Sequence, residues 1–305
     1  MVMQPLVSVV IPCYAQARFL ADAIESVLAQ TYRPWEIIVV DDGSPDDVPA
    51  VTRAYPMVRL LRQENRGLSE ARNRGLAELR GECVVFLDAD DRLLPEALSA
   101  GVEALTARPQ CAFVWGVRRL IDVAGNRLPE AADQWVVGRA RYDLLLRQNI
   151  IGPPVVVMFR RSAVLEISGF DPEQRFSEDY ELYLRIARTQ DSWGHGQLVA
   201  EYRVHDANMS LNHQGMLAGN LRALDLQEPW IGDDGELRLV LEEGRRLTRL
   251  HYDVYGRMDQ LSTHVRAKRW LAAIRCGVVL LFRHPRTFAP VLARRMKRAL
   301  LPSST

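Results

Sequence analysis

Short apolar runs alternate with amphipathic segments along the first ninety residues. Mainly apolar runs occupy residues 7–11, 36–40, 58–62 and 83–87. Between the first two runs, apolar side chains recur at the spacing of one helix face, at Phe19, Leu20, Ala23, Ile24, Val27 and Leu28. This alternation predicts an α/β fold, with a mainly parallel sheet flanked by helices.

The same patterns predict elements further along the chain. A second amphipathic helix is predicted from Leu68, Ala71, Gly75, Leu76 and Leu79. A third helix is expected after residue 91, with Pro95 near its first turn and Leu98, Val102 and Leu105 facing inward. We also expect strands at 112–118 and 155–159, and polar helices over 216–260.

Three loops follow predicted strands, and their residues suggest a ligand site. They are 12–14 (Pro-Cys-Tyr), 41–44 (Asp-Asp-Gly-Ser) and 88–91 (Asp-Ala-Asp-Asp), of which we call the last the acidic loop. In open α/β sheets, ligands bind at the carboxyl ends of the strands, where such loops converge. Asp88 and Asp90 project to one side of the strand end, and hard oxygen ligands of this kind suit Mg²⁺ or Mn²⁺. Turn formation or helix capping is the alternative explanation for the same carboxylates.

The composition is that of a globular protein. The chain has 305 residues, of which 48% are hydrophobic and 25% charged, enough for one large domain with appendages or for two domains. No stretch reaches the roughly 18 apolar residues of a membrane span. Residues 1–6 lack the layout of a signal peptide, so we expect a cytoplasmic location. The cysteines are scattered without the paired spacing of a zinc site or a disulfide framework.

The net charge of +1 conceals an asymmetry between the two ends of the chain. No acidic residue follows Asp259, whereas ten cations do: Arg266, Lys268, Arg269, Arg275, Arg283, Arg286, Arg294, Arg295, Lys297 and Arg298. Residues 270–282 are too short and too charged to span a bilayer. This basic end either contacts an anionic membrane peripherally or packs on the rest of the protein. Nucleic-acid binding is not expected, because the end shows no recognised module and few aromatic residues.

Five blocks together resemble glycosyltransferase family 2. They are residues 9–14 (VVIPCY), 26–32 (SVLAQTY), 36–44 (EIIVVDDGS), 65–73 (NRGLSEARN) and the acidic loop, in the order and spacing of the family. The resemblance implies a GT-A fold with a Rossmann-like sheet, and inverting transfer from a nucleotide-activated sugar, usually with Mn²⁺ or Mg²⁺. We therefore expect a catalytic domain over 1–213, with a nucleotide-sugar half (1–95) and an acceptor half (96–213). A helical basic extension over 214–305 would follow.

The resemblance also assigns residues to the donor. Pro12 and Tyr14 match the base and ribose pocket, and Asp42 matches the carboxylate that accepts from the base. A carboxylate can accept the imide N–H of uracil, and thymine offers the same edge. Gly67 and Arg72 match the block that approaches the nucleotide. Arg72 is expected either to contact phosphate or to be a solvated arginine on a helix face.

Further matches concern the ribose, the metal and the diphosphate. By resemblance Asp88 binds the ribose, Asp90 binds the metal, and Asp91 is a second carboxylate beside it. His205 would complete the metal shell, and Arg203 would touch phosphate. Imidazole together with carboxylate favours Mn²⁺ over Mg²⁺.

The base is expected in the second half of the chain. Residues 169–185 resemble the acceptor-side block of the family, which makes Asp179 the expected base and Glu178 a supporting carboxylate. In the alternative, Ser177 and these two residues only cap a helix. One departure is Ala15, where the family often has Asn, so one polar contact near the donor is in doubt.

These residues lead to one main functional hypothesis and two alternatives. We expect a metal-dependent glycosyltransferase that acts on a glycan or lipid-linked acceptor in cell-surface or extracellular polysaccharide synthesis. A non-catalytic sugar-nucleotide sensor or scaffold would use the same pocket. A metal-dependent nucleotidyl or phosphoryl transferase would share the acidic loops but gives no reason for the block that contains Glu178 and Asp179.

Overall fold

The computed structural model of the chain describes residues 4–129 and 137–283. The strands are β1 (Val7–Cys13), β2 (Trp35–Asp42), β3 (Val58–Gln63), β4 (Cys83–Phe86), β5 (Arg92–Leu93), β6 (Cys111–Ile121), β7 (Gly138–Arg139), β8 (Val157–Arg160) and β9 (Asp191–Arg203). The helices of the first two thirds are α1 (Ala17–Leu28), α2 (Val48–Thr52), α3 (Leu68–Glu78), α4 (Ala97–Thr106), α5 (Tyr142–Arg147), α6 (Arg161–Glu166) and α7 (Glu178–Ala187). The later helices are α8 (His213–Asp225), α9 (Glu228–Ile231), α10 (Gly235–Arg266) and α11 (Trp270–Arg283). The predicted tail cations from Arg286 onward lie outside the described residues.

The described strands form one mixed sheet in the order β3-β2-β1-β4-β8-β6-β9-β5, with β7 paired to β9. β1 runs parallel to β2 and β4, β2 runs parallel to β3, and β6 runs parallel to β9. β8 is antiparallel to both of its neighbours, β4 and β6. The predicted α/β fold with a mainly parallel sheet flanked by helices is confirmed.

β1, β4 and most of β2 are buried along successive residues, which explains their continuous apolar runs, whereas β3 is only half-buried. All seven residues of β1 are buried, and helices cover a parallel sheet from both sides. α1 buries five of its six predicted apolar positions, and each large apolar side chain buried in this way contributes about 1.5–3 kcal/mol. α3 approaches β1 closely at Gly75, where a Cβ atom would lie 2.3 Å from Cγ1 of Val10.

One predicted strand begins later than expected. The strand predicted at 155–159 starts as a 3₁₀ turn over Pro154–Val156 and becomes extended only in β8, because proline lacks the N–H that a strand ladder needs. The helix predicted after residue 91 is α4, and Pro95 lies two residues before its first residue, near the first turn as predicted. The carbonyl groups of Leu94 and Pro95 accept hydrogen bonds from Gln30 and Thr31, just after α1.

The C-terminal helices pack back on the α/β body. α10 lies against α8 and α5, and Leu241 on α10 joins the main core. At Gly244 the two backbones nearly touch, because a Cβ atom there would lie 1.9 Å from the carbonyl oxygen of Leu146. α11 packs on α10 through a small second core, in which Cys276 contacts Val254 and Met258. Across 4–129 and 137–283, no helix has both the length and the apolar character that crossing a bilayer requires.

Candidate active site

A cavity of about 960 Å³ lies at the carboxyl ends of β1, β2 and β4. This volume is at the upper end of the range, about 300–1,000 Å³, that is typical of small-molecule sites. All three predicted loops contribute to its wall, and α7 closes the opposite side. Of the residues predicted from the sequence, the wall contains Pro12, Tyr14, Asp42, Gly67, Arg72, Asp88, Asp90, Glu178 and Asp179.

Asp42 is held in place by donors from the loop that precedes α3. Its Oδ1 accepts hydrogen bonds from the backbone N–H of Arg66 (2.9 Å) and from Gln63, and its Oδ2 accepts from the N–H of Gly67 (2.9 Å). Gly43 has a φ of +69° and lies so close to Asn65 that a Cβ atom would be 2.7 Å from its nitrogen. The fixed carboxylate faces the cavity and has acceptor capacity left on Oδ2.

Arg72 links the acidic loop to α7 across the cavity. It is fully buried, with Nη2 2.6 Å from Oδ1 of Asp88 and Nη1 2.5 Å from Oε1 of Glu178. Glu178 is 106 residues further along the chain. Both charged ends of the guanidinium are thus engaged by carboxylates. The solvated helix-face arginine that was one alternative is excluded by this burial.

Asp179 is a cavity-lining carboxylate with a raised pKa. Its side chain is partly exposed and lines the cavity, and its Oδ1 accepts from the N–H of Tyr180 (2.7 Å). Burial, followed by the negative charge of Glu178, raises the pKa of Asp179 from 3.8 to about 7, although Arg72 opposes the rise. Glu178 is bound to Arg72 through Oε1, whereas Asp179 makes no ion pair with a described residue and its Oδ2 accepts no hydrogen bond from one.

Ser177 precedes these two carboxylates in a left-handed conformation, with a φ of +57°. Its hydroxyl makes no capping hydrogen bond to α7 and accepts instead from Nδ2 of Asn220 on α8, at 2.6 Å. The capping alternative is therefore wrong for the Ser177 side chain, although Oδ1 of Asp179 does accept a hydrogen bond from an N–H of the first turn, that of Tyr180. A strained residue held by a second helix, directly before a candidate base, is typical of functional sites.

The acidic loop concentrates negative charge below the cavity. Burial and the neighbouring carboxylates raise the pKa of both Asp90 and Asp91. Asp90 lines the cavity, whereas Asp91 lies behind it, with Oδ1 accepting from the N–H of Arg203 (2.9 Å). Oδ2 of Asp91 is buried without a hydrogen-bond partner among the described residues. Such a loop is stabilised by a cation nearby.

His205 stands directly against Asp90. Its Nε2 lies 2.9 Å from Oδ2 of Asp90, its ring stacks on Phe19 with centroids 5.3 Å apart, and its Nδ1 accepts from the N–H of Ala207. Adjacent ligands of an octahedral cation are about 3 Å apart when each bond to the cation is about 2.1 Å. The distance between Oδ2 of Asp90 and Nε2 of His205 therefore suits two ligands of one cation. No group of three or more His, Cys, Asp or Glu side chains within 4–129 and 137–283 has the arrangement of a metal site. These residues fit a cation whose shell a diphosphate would complete.

Arg203 lies under the acidic loop and outside the cavity wall. The side chain is buried, with Nε donating to the carbonyl oxygen of Asp90 (2.8 Å) and Nη1 to that of Val123 (2.8 Å). Nη2 donates to Asp22, and the guanidinium also stacks on Phe19. This arrangement fixes the loop backbone, and the predicted phosphate contact of Arg203 stays a prediction.

The cavity has a wall that the sequence did not predict. Residues of α10 form this wall together with Met216 and Asn220 of α8; they are Leu247, Thr248, Leu250, His251 and Tyr252. Nδ2 of Asn220 also lies 3.1 Å from the hydroxyl of Tyr252. These residues lie in the predicted extension that starts at residue 214, beyond the blocks that resemble the family. The sequence of this part showed only the pattern of polar helices.

Ala15, the departure from the family pattern, has a φ of +55°. This conformation is unfavourable for residues with a Cβ atom other than Asn and Asp. The N–H of Ala15 donates to the Ser44 hydroxyl at 3.1 Å, which holds the strained turn against the loop after β2. The positive φ would therefore favour asparagine at this position, in addition to any contact that its side chain makes with a nucleotide-sugar.

Comparison of the sequence with models of protein families identifies the family of this chain. The sequence model described as Glycosyl transferase family 2 matches residues 8–168, just over half of the chain. The chain belongs to glycosyl transferase family 2. The resemblance of the five blocks is thus confirmed, and the match extends beyond them to α6.

Sequence relatives of this family 2 chain agree with the membership. An uncharacterised glycosyltransferase of Rickettsia typhi is 29% identical over 240 residues, which cover 73% of this chain and 74% of that protein. TuaG of Bacillus subtilis, named for teichuronic acid biosynthesis, is 30% identical over 217 residues, which cover 68% of this chain and 83% of TuaG. The chondroitin synthase of Escherichia coli is 28% identical over 187 residues, 60% of this chain and 26% of that protein.

Solved structures show that the family 2 chain has the GT-A fold. TarS of S. aureus in complex with UDP-GlcNAc superimposes with a TM-score of 0.63 at 17% identity, covering 93% of this chain and 83% of that one. The mannosyltransferase PcManGT of Pyrobaculum calidifontis, in complex with GDP-Man and Mn²⁺, gives a TM-score of 0.60 at 18% identity, covering 99% and 82%.

Proposed function

We propose that this chain is an inverting glycosyltransferase that transfers a hexose or N-acetylhexosamine from a UDP-sugar to a hydroxyl of a glycan or lipid-linked acceptor. The observation that carries the proposal is that one cavity holds the donor-side carboxylates and Asp179, linked through Arg72. Synthesis of cell-surface or extracellular polysaccharide is the setting that the names of TuaG and chondroitin synthase support.

The donor is proposed to bind along the loops after β1, β2 and β4. Tyr14 is half exposed at the cavity wall and can stack on the base beside Pro12. Asp42, fixed by the N–H groups of Arg66 and Gly67, would accept the imide N–H of uracil. Asp88 would accept from the ribose hydroxyls. The UDP-GlcNAc complex of TarS supports this choice of nucleotide.

The metal ligands are proposed to be Asp90 and His205, with Asp91 as a second carboxylate behind them. Bound Mn²⁺ or Mg²⁺ would neutralise the charge that builds on the diphosphate as the bond to the sugar breaks. The combination of carboxylate and imidazole favours Mn²⁺, and the Mn²⁺ bound to PcManGT supports that choice.

Asp179 is proposed as the base. It takes the proton from the acceptor hydroxyl while the oxygen attacks the anomeric carbon, on the face opposite the diphosphate, which inverts the configuration. Glu178 holds Arg72 and keeps a negative charge next to Asp179. That charge and the buried position give Asp179 the raised pKa of an effective base.

The acceptor is proposed to enter between α7, α8 and α10. His251 and Tyr252 present aromatic rings beside Thr248 on this wall, a combination that suits the mixed apolar and hydroxyl surface of a sugar. We also propose a catalytic unit over 1–213 and a basic extension over 214–305. Because α10 belongs to the extension and lines the cavity, the extension would contribute to acceptor binding.

α11 is proposed to rest on an anionic membrane surface. Its exposed side carries Trp270 (59% exposed), Leu271 (82%) and Ile274 (61%), next to the exposed cations Lys268 and Arg275. An amphipathic helix with this combination binds at the headgroup level of a bilayer. Such contact would bring the cavity close to a lipid-linked acceptor.

Asp179→Asn tests the proposed function. The amide cannot accept the proton but has nearly the same shape, so we expect transfer to fall by at least about a hundredfold while UDP-sugar binding is retained. Product formation from a donor panel with Mn²⁺ and calorimetric donor binding are the two measurements. Transfer by Asp179→Asn at the wild-type rate would refute the base. Donor binding by the wild type with no product from any acceptor would favour the non-catalytic sensor.

A further inference from the structure

The cavity contains an arginine that the proposed roles above do not use. Among the described residues, three arginines line it: Arg72, Arg118 and Arg147. Arg72 is occupied by Asp88 and Glu178, and Arg147 pairs with Glu243 at 3.0 Å. The side chain of Arg118, on β6, makes neither a hydrogen bond nor an ion pair with another residue in 4–129 and 137–283, although its backbone pairs with β9. Of the three arginines in the described cavity wall, Arg118 is therefore the one whose side chain is available to a ligand.

Arg118 is held in place by an aromatic ring. Its guanidinium carbon lies 4.9 Å from the ring centroid of Tyr202, which also lines the cavity. The hydroxyl of Tyr202 is 3.2 Å from that of Ser210, so the ring is itself tethered. A guanidinium fixed by stacking keeps the N–H donors along its edge free, and these donors match two oxygens of a phosphate.

The location of Arg118 points to the diphosphate. In the sheet, Arg118 pairs with Ala200 of β9, and Ala200 pairs with Leu93 of β5, two residues after the acidic loop, so Arg118 lies at the acidic-loop end of the cavity. Asp90, the proposed metal ligand, lines the same end. The sequence assigned a phosphate contact to Arg203 and, as one of two alternatives, to Arg72, but both have their guanidinium groups engaged inside the protein. Arg118 is thus the arginine of the described cavity wall that can add hydrogen-bond donors to the charge of the proposed metal ion.

We infer that Arg118 binds the β-phosphate of the nucleotide-sugar donor and stabilises the leaving group. The inference rests on the proposed function. During transfer the bond between the anomeric carbon and the β-phosphate oxygen breaks, and the electron pair stays on that oxygen. The acceptor oxygen forms the new bond and its proton goes to Asp179. Arg118 donates two hydrogen bonds to the oxygens on which the charge increases.

Calorimetric titration of the full chain with UDP and with uridine, in the presence of Mn²⁺, tests the assignment. For Arg118→Gln we expect UDP affinity to fall about ten- to a hundredfold while uridine affinity is unchanged, because only the diphosphate contact is lost. Arg119→Gln is the matched control. Arg119 is the next residue, pairs with Glu201 at 2.5 Å and is absent from the described cavity wall, so UDP binding should be unaffected.

Three outcomes would overturn the assignment: unchanged UDP affinity in Arg118→Gln, an equal loss of uridine affinity, or a loss seen with UDP-glucuronate and not with UDP or UDP-glucose. The last result would show that Arg118 binds an anionic sugar and not the diphosphate. Failure of the proposed function can be distinguished from failure of the Arg118 assignment. If the proposed function is wrong, the wild type forms no product. If only the assignment of Arg118 is wrong, the wild type transfers sugar and Arg118→Gln binds UDP as well as the wild type does.

Discussion

At the scale of residues, the proposed base Asp179 would set the pH range of activity through its charge state. Its pKa is raised to about 7 by burial and by Glu178, so the carboxyl group is protonated below neutrality and ionised above it. A base must be ionised to accept a proton. The rate should therefore increase with pH, in contrast to that of an enzyme whose base has the ordinary aspartate pKa, near 4.

We predict that kcat/KM rises about tenfold per pH unit below about pH 7 and levels off above it. The measurement is the initial rate of transfer from pH 5 to pH 9 at fixed Mn²⁺. UDP binding measured over the same range serves as the control for effects on the donor site. A rate that is flat between pH 5 and pH 7 would contradict the raised pKa or the role of Asp179.

Prediction from sequence worked for residues in local motifs and failed for their long-range partners. Asp42 and Asp88 follow strands directly, so strand order alone placed them at the cavity. The partner of Arg72, Glu178, is 106 residues away, and no local pattern marks such a pair. Arg118 lies in an apolar strand whose neighbours gave no chemical signal. Its availability became visible only when the partners of the other arginines were known.

At the scale of elements, α10 is the part of the site that depends most on close packing. Gly244 lets its backbone contact the carbonyl oxygen of Leu146 at the end of α5, where a Cβ atom would be 1.9 Å away. The same helix places Thr248 and His251 at the cavity. A side chain at position 244 would push this wall away from the acceptor.

We predict that Gly244→Ala lowers the free energy of unfolding by about 1–3 kcal/mol and raises the KM for acceptor more than the Kd for UDP. Gly256→Ala is the control in the same helix, since a Cβ atom there meets nothing within 4 Å. It should stabilise the protein by up to about 1 kcal/mol through helix propensity. Urea unfolding and acceptor kinetics measure both variants. Equal effects of the two substitutions would show that the contact with α5 is unimportant.

The element boundaries show where sequence patterns were sufficient. Apolar periodicity located α1 and α3 correctly because each covers a sheet whose runs were also visible. The shifted start of β8 has a local cause in the prolines before it. The contribution of α10 to the cavity could not be predicted, because its polar pattern does not specify which helix it packs on.

At the scale of the whole molecule, the exposed side of α11 and the cations near it form one surface. Leu271 is 82% exposed at one end of this helix. Leu239, on α10, is 75% exposed but belongs to another part of the surface. The two leucines therefore allow a direct comparison of an apolar side chain inside and outside the proposed membrane contact.

We predict that the chain binds vesicles containing phosphatidylglycerol and not vesicles of phosphatidylcholine alone, and that high salt releases it. Leu271→Asp should weaken binding about tenfold, whereas Leu239→Asp should not change it. Cosedimentation with vesicles is the measurement. Absence of binding by the wild type, or equal effects of the two substitutions, would contradict the membrane contact and favour packing of the basic end on the protein.

The ion pairs of Arg72 bear on how this protein can be divided for experiments. A fragment of residues 1–95 would contain Arg72 and Asp88 but would lack Glu178 and the strand β8 that pairs with β4. It would expose an apolar sheet edge and leave a buried cation with half of its compensating charge, which is strongly destabilising. The donor half is therefore not an independent folding unit, and nucleotide binding should be studied only in chains that extend through α7.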